Sequence, residues 1–190
     1  MPSFVYDLRY LQAGADVLEN FLLTSEIYWP IGVGAPEGGA PYPQLTLGNL
    51  LLAKVRATVQ AVSPVEQRQL DQISERIDAI HEQWRTAWSA KASSELRGRL
   101  VQWRNFLEDY RENRQANYDR FRYEVFRRVI IELLLPDAEA LSSADHEMLD
   151  SLDGLLKAVL KPTGFVWETE LESAFPKQLY WFLYGYLPGE

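Results

Sequence analysis

Cysteine is absent from the 190 residues of this chain. Its absence excludes disulfide bonds, cysteine-ligated zinc, iron–sulfur clusters and thiol nucleophiles. Histidine is scarce as well: only His81 and His146 occur, and two histidines cannot form a three-histidine zinc site. We therefore expect no bound cofactor and no transition-metal site.

The sequence also lacks long apolar runs and a recognisable signal peptide. No segment reaches the ~18 uninterrupted apolar residues of a transmembrane helix, and the N-terminal residues Met-Pro-Ser-Phe-Val-Tyr-Asp contain neither a basic nor an apolar region. The net charge of −8 is unfavourable for a dedicated nucleic-acid binder, which is usually basic. We expect a cytoplasmic protein with no membrane partner, and we do not expect nucleic acid as its main partner.

Proline and glycine are unevenly distributed along the chain. Residues 65–135 contain no proline and one glycine, Gly98, which predicts helix over most of that segment. Residues 27–46 contain four of the ten prolines and four of the eleven glycines, which predicts a loop. Connections in helical bundles usually need roughly 2–8 residues, so this loop is long. We interpret it as an ordered strap, with a pocket lid as the alternative.

Apolar residues at helical spacing predict five helices. The third has the clearest start, because Ser63-Pro64-Val65-Glu66 suits a capping box with proline at the first helical position. We expect it to end near residues 90–94, where Ser93 and Ser94 suit a turn and a new cap. The predicted helices span residues 4–25, 46–62, 64 to about 90, 95 to about 135, and 143–160.

The C-terminal segment 165–190 carries eight aromatic residues. Pro176 and Gly185 suit the ends of a short helix at 176–185. The run 179–187 would be apolar on every side of such a helix, so the bundle would cover one side, and we expect further packing within the chain or a second subunit to cover the other. Together these patterns predict an all-α, antiparallel bundle of four to five long helices. The bundle is a single domain over residues 1–190, with the long loop after its first helix and an aromatic C-terminal cap.

Two polar residues, Arg114 and Asn117, interrupt the apolar seam of the predicted fourth helix. A buried guanidinium without a partner is very costly, which leaves two outcomes. Either the helix kinks near 112–118 and Arg114 reaches solvent, or Arg114 stays inside and pairs with an acid or an anionic ligand. On the second outcome Asn117 would form hydrogen bonds beside it, and both are candidate ligand-binding residues.

The predicted third helix supplies the other candidate site residues, Glu75, Asp78 and His81. Glu75 and Asp78 are three apart and share one helix face, where their oxygens could hold magnesium on a phosphate substrate. Asp78 and His81 resemble one half of the Glu-x-x-His device of di-iron bundles, but the second copy is absent because Ser143 precedes His146 at that spacing. A solvated acidic face explains all three residues more simply.

Residues 97–128 contain nine arginines interleaved with aromatic residues. Arginine beside aromatic rings can clamp phosphate and stack on bases, which would suit nucleic acid. We favour a structural interpretation, in which the arginine stems cover apolar surface and their charged heads pair with glutamates one turn away. The nine are Arg97, Arg99, Arg104, Arg111, Arg114, Arg120, Arg122, Arg127 and Arg128.

These patterns favour a helical protein-interaction or scaffold module that binds another protein or forms a homodimer. The alternative is an enzyme that binds a small molecule or nucleotide at an acidic site between helices, with or without magnesium. A weaker alternative is nucleic-acid binding through the arginine-rich and aromatic segment 97–128.

Overall fold

A computed structural model describes residues 2–139 and 141–190. The fold is all-α, as predicted, with a short antiparallel strand pair in which Lys161 faces Tyr186. Three 3-10 turns lie at Tyr118–Arg120, Thr169–Ala174 and Trp181–Leu183. The regular elements are α1 (Phe4–Leu22), α2 (Leu47–Gln60), α3 (Pro64–Gln83), α4 (Arg85–Glu112), α5 (Arg114–Asn117), α6 (Phe121–Glu124), α7 (Phe126–Leu134), α8 (Ser143–Val159), β1 (Lys161–Pro162) and β2 (Gly185–Tyr186).

Helix α2 lies at the centre of the fold. It packs against α1 on one side and against α4 and α7 on others, and the 3-10 turn Thr169–Ala174 also lies against it. Helix α4 in turn contacts α7 and α8, and α3 packs mainly against α1. The buried core is continuous across these contacts, so α2 fixes the position of most other elements.

The predicted boundary between the third and fourth helices is wrong. Helix α3 begins at Pro64 with the expected capping box, but it ends at Gln83, and Trp84 alone separates it from α4. Helix α4 then continues through Ser93 and Ser94. The Ser93 hydroxyl donates to the Ser89 carbonyl (2.8 Å) and accepts from the Glu139 amide (2.8 Å). The Ser93 hydroxyl therefore forms one hydrogen bond within α4 and one to a distant segment, and Ser93 does not end the helix.

The predicted interruption at residues 112–118 is confirmed. Helix α4 ends at Glu112, and Asn113 is extended with φ −146° and ψ 90°. The Asn113 side chain accepts from the Ala116 amide (3.1 Å) and so caps α5. Arg114 is exposed, so of the two outcomes the break with a solvent-facing arginine is the one observed.

The predicted helix at residues 176–185 is wrong. Over these residues the chain makes a single turn after Pro176, the 3-10 turn Trp181–Leu183, and then enters β2. A regular helix here would direct apolar side chains to all of its sides. The irregular path instead directs several of them into the same core. Phe175, Phe182, Leu183 and Leu187 are all at most 1% exposed.

A close crossing between α2, α4 and α7 depends on Gly48. The buried Glu95 carboxylate accepts from the Gly48 amide (2.9 Å) through Oε2, and its Oε1 accepts from Arg99 (2.9 Å). A Cβ on Gly48 would overlap Ile130 Cγ2 and would lie 2.8 Å from Glu95 Oε1. No larger residue fits without displacing α7 or breaking the bond between Glu95 and the start of α2.

We predict that Gly48→Ala destabilises the protein by about 1–3 kcal/mol, the usual cost of overpacking a well-packed core. Gly98→Ala is the matched control, because Gly98 is also helical and nothing lies within 4 Å of its added Cβ. The control should gain about 0.5–1 kcal/mol from lower backbone entropy in the unfolded chain. Chemical denaturation of both variants measures the two values. Equal effects of the two substitutions would show that the helix crossing at Gly48 can accommodate a Cβ atom.

Candidate functional site

A mainly apolar hollow lies along one face of α2. We call it the α2 cleft. Asn49, Leu52 and Arg56 face it from α2 at helical spacing, and a smaller inner hollow of ≈ 190 Å³ lies next to it and shares five of its lining residues. The cleft has a volume of ≈ 330 Å³ and is lined by Pro2, Pro43, Asn49, Leu52, Arg56, Arg122, Tyr123, Phe126, Trp167, Glu168 and Leu171.

Arg56 is held in place by a buried carboxylate. Its Nε and Nη2 donate to the two oxygens of Asp7 at 3.0 and 2.6 Å, and Asp7 is 0% exposed. Burial raises the pKa of Asp7, while the Arg56 guanidinium opposes that rise. The bidentate pair fixes the plane of the guanidinium. Its Nη1 makes no hydrogen bond within residues 2–139 and 141–190, so both N–H groups of this atom are unpaired there, and Arg56 lines the cleft.

Arg122 lies in the opposite wall of the cleft, on α6. Its Nη2 approaches Glu168 Oε1 at 3.5 Å, and the two side chains are 56% and 39% exposed. The Trp167 indole donates to the Arg122 backbone carbonyl (3.0 Å), which attaches the C-terminal segment to α6. The indole ring thus has a fixed position, whereas the one ion pair of the Arg122 guanidinium among the described residues is long and exposed to solvent.

Tyrosine hydroxyls close the inner end of the cleft by holding the loop at residues 27–46 against α1. Tyr42 donates to the Tyr6 carbonyl (3.0 Å), and Tyr10 donates to the Gln44 carbonyl (3.1 Å). Trp29 and Leu45 form a bridge between the two ends of the loop. Pro43, which lines both hollows, lies between these attachments. The loop is therefore an ordered strap that forms part of the wall.

Arg114 and Asn117 lie outside this cleft. The Arg114 guanidinium lies 5.9 Å from the centre of the Tyr110 ring and donates to the Glu190 carbonyl (3.5 Å). Asn117 donates to the carbonyls of Asp109 (3.1 Å) and Asn113 (2.9 Å). Both side chains therefore bond around the break after α4.

The three candidates on α3 do not meet Arg114 or Asn117. Glu75 is exposed, and Asp78 pairs with Lys54 of α2 at 2.6 Å. His81 stacks on the buried Trp88 with 4.3 Å between ring centres. Its Nε2 lies 3.5 Å from Asp137 Oδ1, and the other oxygen of Asp137 accepts from the Trp88 indole (3.0 Å). Within the described ranges no three histidine or acidic side chains form a group that could hold a metal ion.

The arginines of segment 97–128 are mostly paired within the chain. Seven of the nine form ion pairs with acidic side chains. Arg128 is the most enclosed, since it is 4% exposed, bonds Asp153 (2.9 Å) and Glu132 (2.8 Å), and lies over the Phe182 ring. These pairs support the structural interpretation of the segment and leave little free positive charge for nucleic acid.

The homodimer prediction loses one of its premises, because the C-terminal segment is not a helix and buries four apolar residues in its own chain. Homodimer formation, the scaffold role and the cytoplasmic location all stay predictions. Among the helices that the structure describes, none combines the length and apolar character needed to cross a bilayer. Comparison of the chain with protein-family models, curated proteins and solved structures finds no match.

The sequence reasoning missed the residues that line the cleft. One signal was present for Arg56 and Asp7. Arg56 belongs to a predicted helix that is rich in leucine and valine, and Asp7 lies three residues after Phe4 on the apolar face of α1. A charge on an apolar face needs a partner of opposite charge, so the sequence could have predicted that Asp7 and Arg56 pair with each other. Arg122 and Trp167 carried no such signal, because 45 residues separate them.

We predict that Arg56→Gln destabilises the protein at pH 7 by about 3 kcal/mol, the cost of leaving a buried charge without its partner. Without the guanidinium, the pKa of Asp7 rises further above its ordinary value of 3.8. The folded variant therefore takes up a proton at a higher pH than the wild type does. The loss of stability should be full at neutral pH and should shrink as the pH falls through this raised pKa.

Urea denaturation of wild type and variant between pH 4 and pH 7 measures this dependence. Arg76→Gln is the matched control, because Arg76 pairs with Asp16 where both side chains are 49% or more exposed. It should cost less than about 0.5 kcal/mol at every pH. A loss in Arg56→Gln that does not change with pH would contradict the proposed dependence on Asp7.

Proposed function

We propose that this protein binds a small organic molecule in the α2 cleft and that the bound portion is a flat, apolar group. The observation that carries the proposal is the cleft itself, an apolar hollow with a few polar groups at defined positions. Ligand sites generally have this character. The cleft replaces the acidic inter-helix site that the sequence suggested, because its charged residues form two opposite-charge pairs.

The volume of the cleft suits a ligand of two or three fused or linked rings. The outer chamber of ≈ 330 Å³ and the inner hollow of ≈ 190 Å³ fall, taken together, within the roughly 300–1,000 Å³ of small-molecule pockets. The space is bounded by α2, the strap, α6, α7 and the C-terminal segment. Walls from several separate segments enclose a compact ligand better than they would an extended chain.

The side chains of the walls favour a flat ligand. Leu52 and Leu171 are 6% and 2% exposed and form an aliphatic floor. Trp167, Phe126 and Tyr123 add aromatic rings at the sides, and the Trp167 ring is fixed by its bond to Arg122. Aromatic rings contribute about 0.5–1.5 kcal/mol to a ring partner beyond the burial of area.

We predict that phenylnaphthylamine, a neutral aromatic dye that fluoresces in apolar surroundings, binds with one site per chain. Tyr123→Ala should weaken this binding about three- to tenfold, the loss expected for one aromatic contact. Tyr123 is 74% exposed, so its removal should leave the fold intact. Fluorescence titration measures the affinity, and a rise in melting temperature with dye gives an independent reading.

Tyr186→Ala is the matched control, because Tyr186 is 51% exposed on β2 and does not line the cleft. It should bind the dye as the wild type does. The proposal is wrong if the dye fails to bind, or if both tyrosine variants bind it with unchanged affinity.

A further inference from the structure

We infer that the ligand of the α2 cleft carries one negative charge, as in an aromatic or other flat carboxylate, and that Arg122 is the cation that binds it. This inference rests on the proposed function and adds the chemical class of the ligand. Two arginines face one mainly apolar hollow, but their charges are not equally available.

The charge of Arg56 is already neutralised inside the protein. Its two bonds to Asp7, at 2.6 and 3.0 Å, involve a carboxylate with no exposure. A ligand anion would have to compete with a fixed, bidentate partner, and it would do so beside a buried negative charge. Arg56 therefore offers the N–H donors of Nη1 and little net charge.

Arg122 holds a positive charge that a ligand can take over. Its one acidic contact within the described part of the chain, with Glu168, is long at 3.5 Å, and both side chains are exposed to solvent. Exposed pairs of this kind contribute little to stability. A carboxylate bound in the cleft that Arg122 lines could replace Glu168 as the partner of the guanidinium, and Glu168, at 39% exposure, could turn to solvent at small cost.

The balance of charges limits the ligand to one negative charge. With Arg56 compensated by Asp7, the cleft has one exchangeable cation. A phosphate dianion would leave one charge unbalanced next to Asp7 and Glu168. The net charge of −8 over the whole chain acts in the same direction, because it repels multiply charged anions.

The first test compares two dyes that share one aromatic body. Anilinonaphthalene sulfonate differs from phenylnaphthylamine by one sulfonate group. In low salt it should bind the wild-type protein about tenfold more tightly than the neutral dye, as expected for a hydrogen bond to a charged group. Added salt should reduce this preference, because Arg122 is exposed.

Two substitutions locate the preference. Arg122→Gln should reduce the preference for the sulfonate dye about tenfold, so that the two dyes bind the variant with nearly equal affinity. Glu168→Gln should strengthen binding of the sulfonate dye about two- to fivefold, because the competing carboxylate is gone. The controls are Arg85→Gln and Glu82→Gln, an exposed ion pair on α4 and α3 that makes the same changes in net charge away from the cleft.

Competition against the bound sulfonate dye identifies the preferred headgroup. Naphthoate should displace it at the lowest concentration, naphthyl phosphate at a higher one, and naphthamide at the highest. Stronger displacement by the phosphate would overturn the single-charge inference. Equal affinity of the two dyes, or equal effects of Arg122→Gln and Arg85→Gln, would overturn the role of Arg122 and leave the proposed function standing. Failure of the neutral dye to bind removes both.

Discussion

The Glu95 carboxylate fixes the position of α2, and the α2 cleft depends on that position. Glu95 is 2% exposed, and one of its oxygens accepts from the Gly48 amide at the start of α2. Negative charge is favourable at this end of a helix, where free amides and the helix dipole are both positive. Arg99 holds the second oxygen, so the carboxylate is buried with its partners in place. Helix α2 is thereby tied to α4 at a defined residue.

The ion pair between Arg56 and Asp7 has a different effect at the other end of α2. It ties α2 to α1 and sets the direction of a guanidinium that faces the cleft. Between the two ties, Asn49 and Leu52 share a helix face with Arg56 and are directed into the same hollow. Two buried charge clusters, roughly two helical turns apart, thus determine which face of α2 is presented to a ligand.

Most helices were predictable because their signals are local. The periodic apolar residues identify α1, α2 and α8 within a few residues of their observed ends, and the cap at Ser63 identifies the start of α3. The prediction that Ser93 marks a helix end was wrong because its hydroxyl accepts a hydrogen bond from the Glu139 amide, which is 46 residues away. The prediction for the C-terminal segment was wrong because a helix there would expose apolar side chains on at least one side. The chain instead follows an irregular path that buries several of these side chains.

The cleft was not predictable in the same way, because its walls come from distant segments. Asp7 and Arg56 were each recognisable as a charge in an apolar setting, but their pairing needed α1 and α2 to be placed side by side. Trp167 contacts Arg122 through its backbone carbonyl, and a sequence gives no signal for a bond of this kind. Local patterns therefore identify the helices, and the site follows from how those helices cross.

The break after α4 has a consequence for the geometry of the whole molecule. A continuous helix would rise ~1.5 Å per residue and would carry residue 122 ~15 Å beyond Glu112, away from the body of the protein. Instead Asn113 leaves helical geometry, and the chain turns back so that α7 packs against both α4 and α2. The polar residues around Arg114 bind nothing in the cleft, yet the change of direction they mark brings Arg122, Tyr123 and Phe126 opposite α2. A hollow exists here because one long helix was divided and folded onto itself.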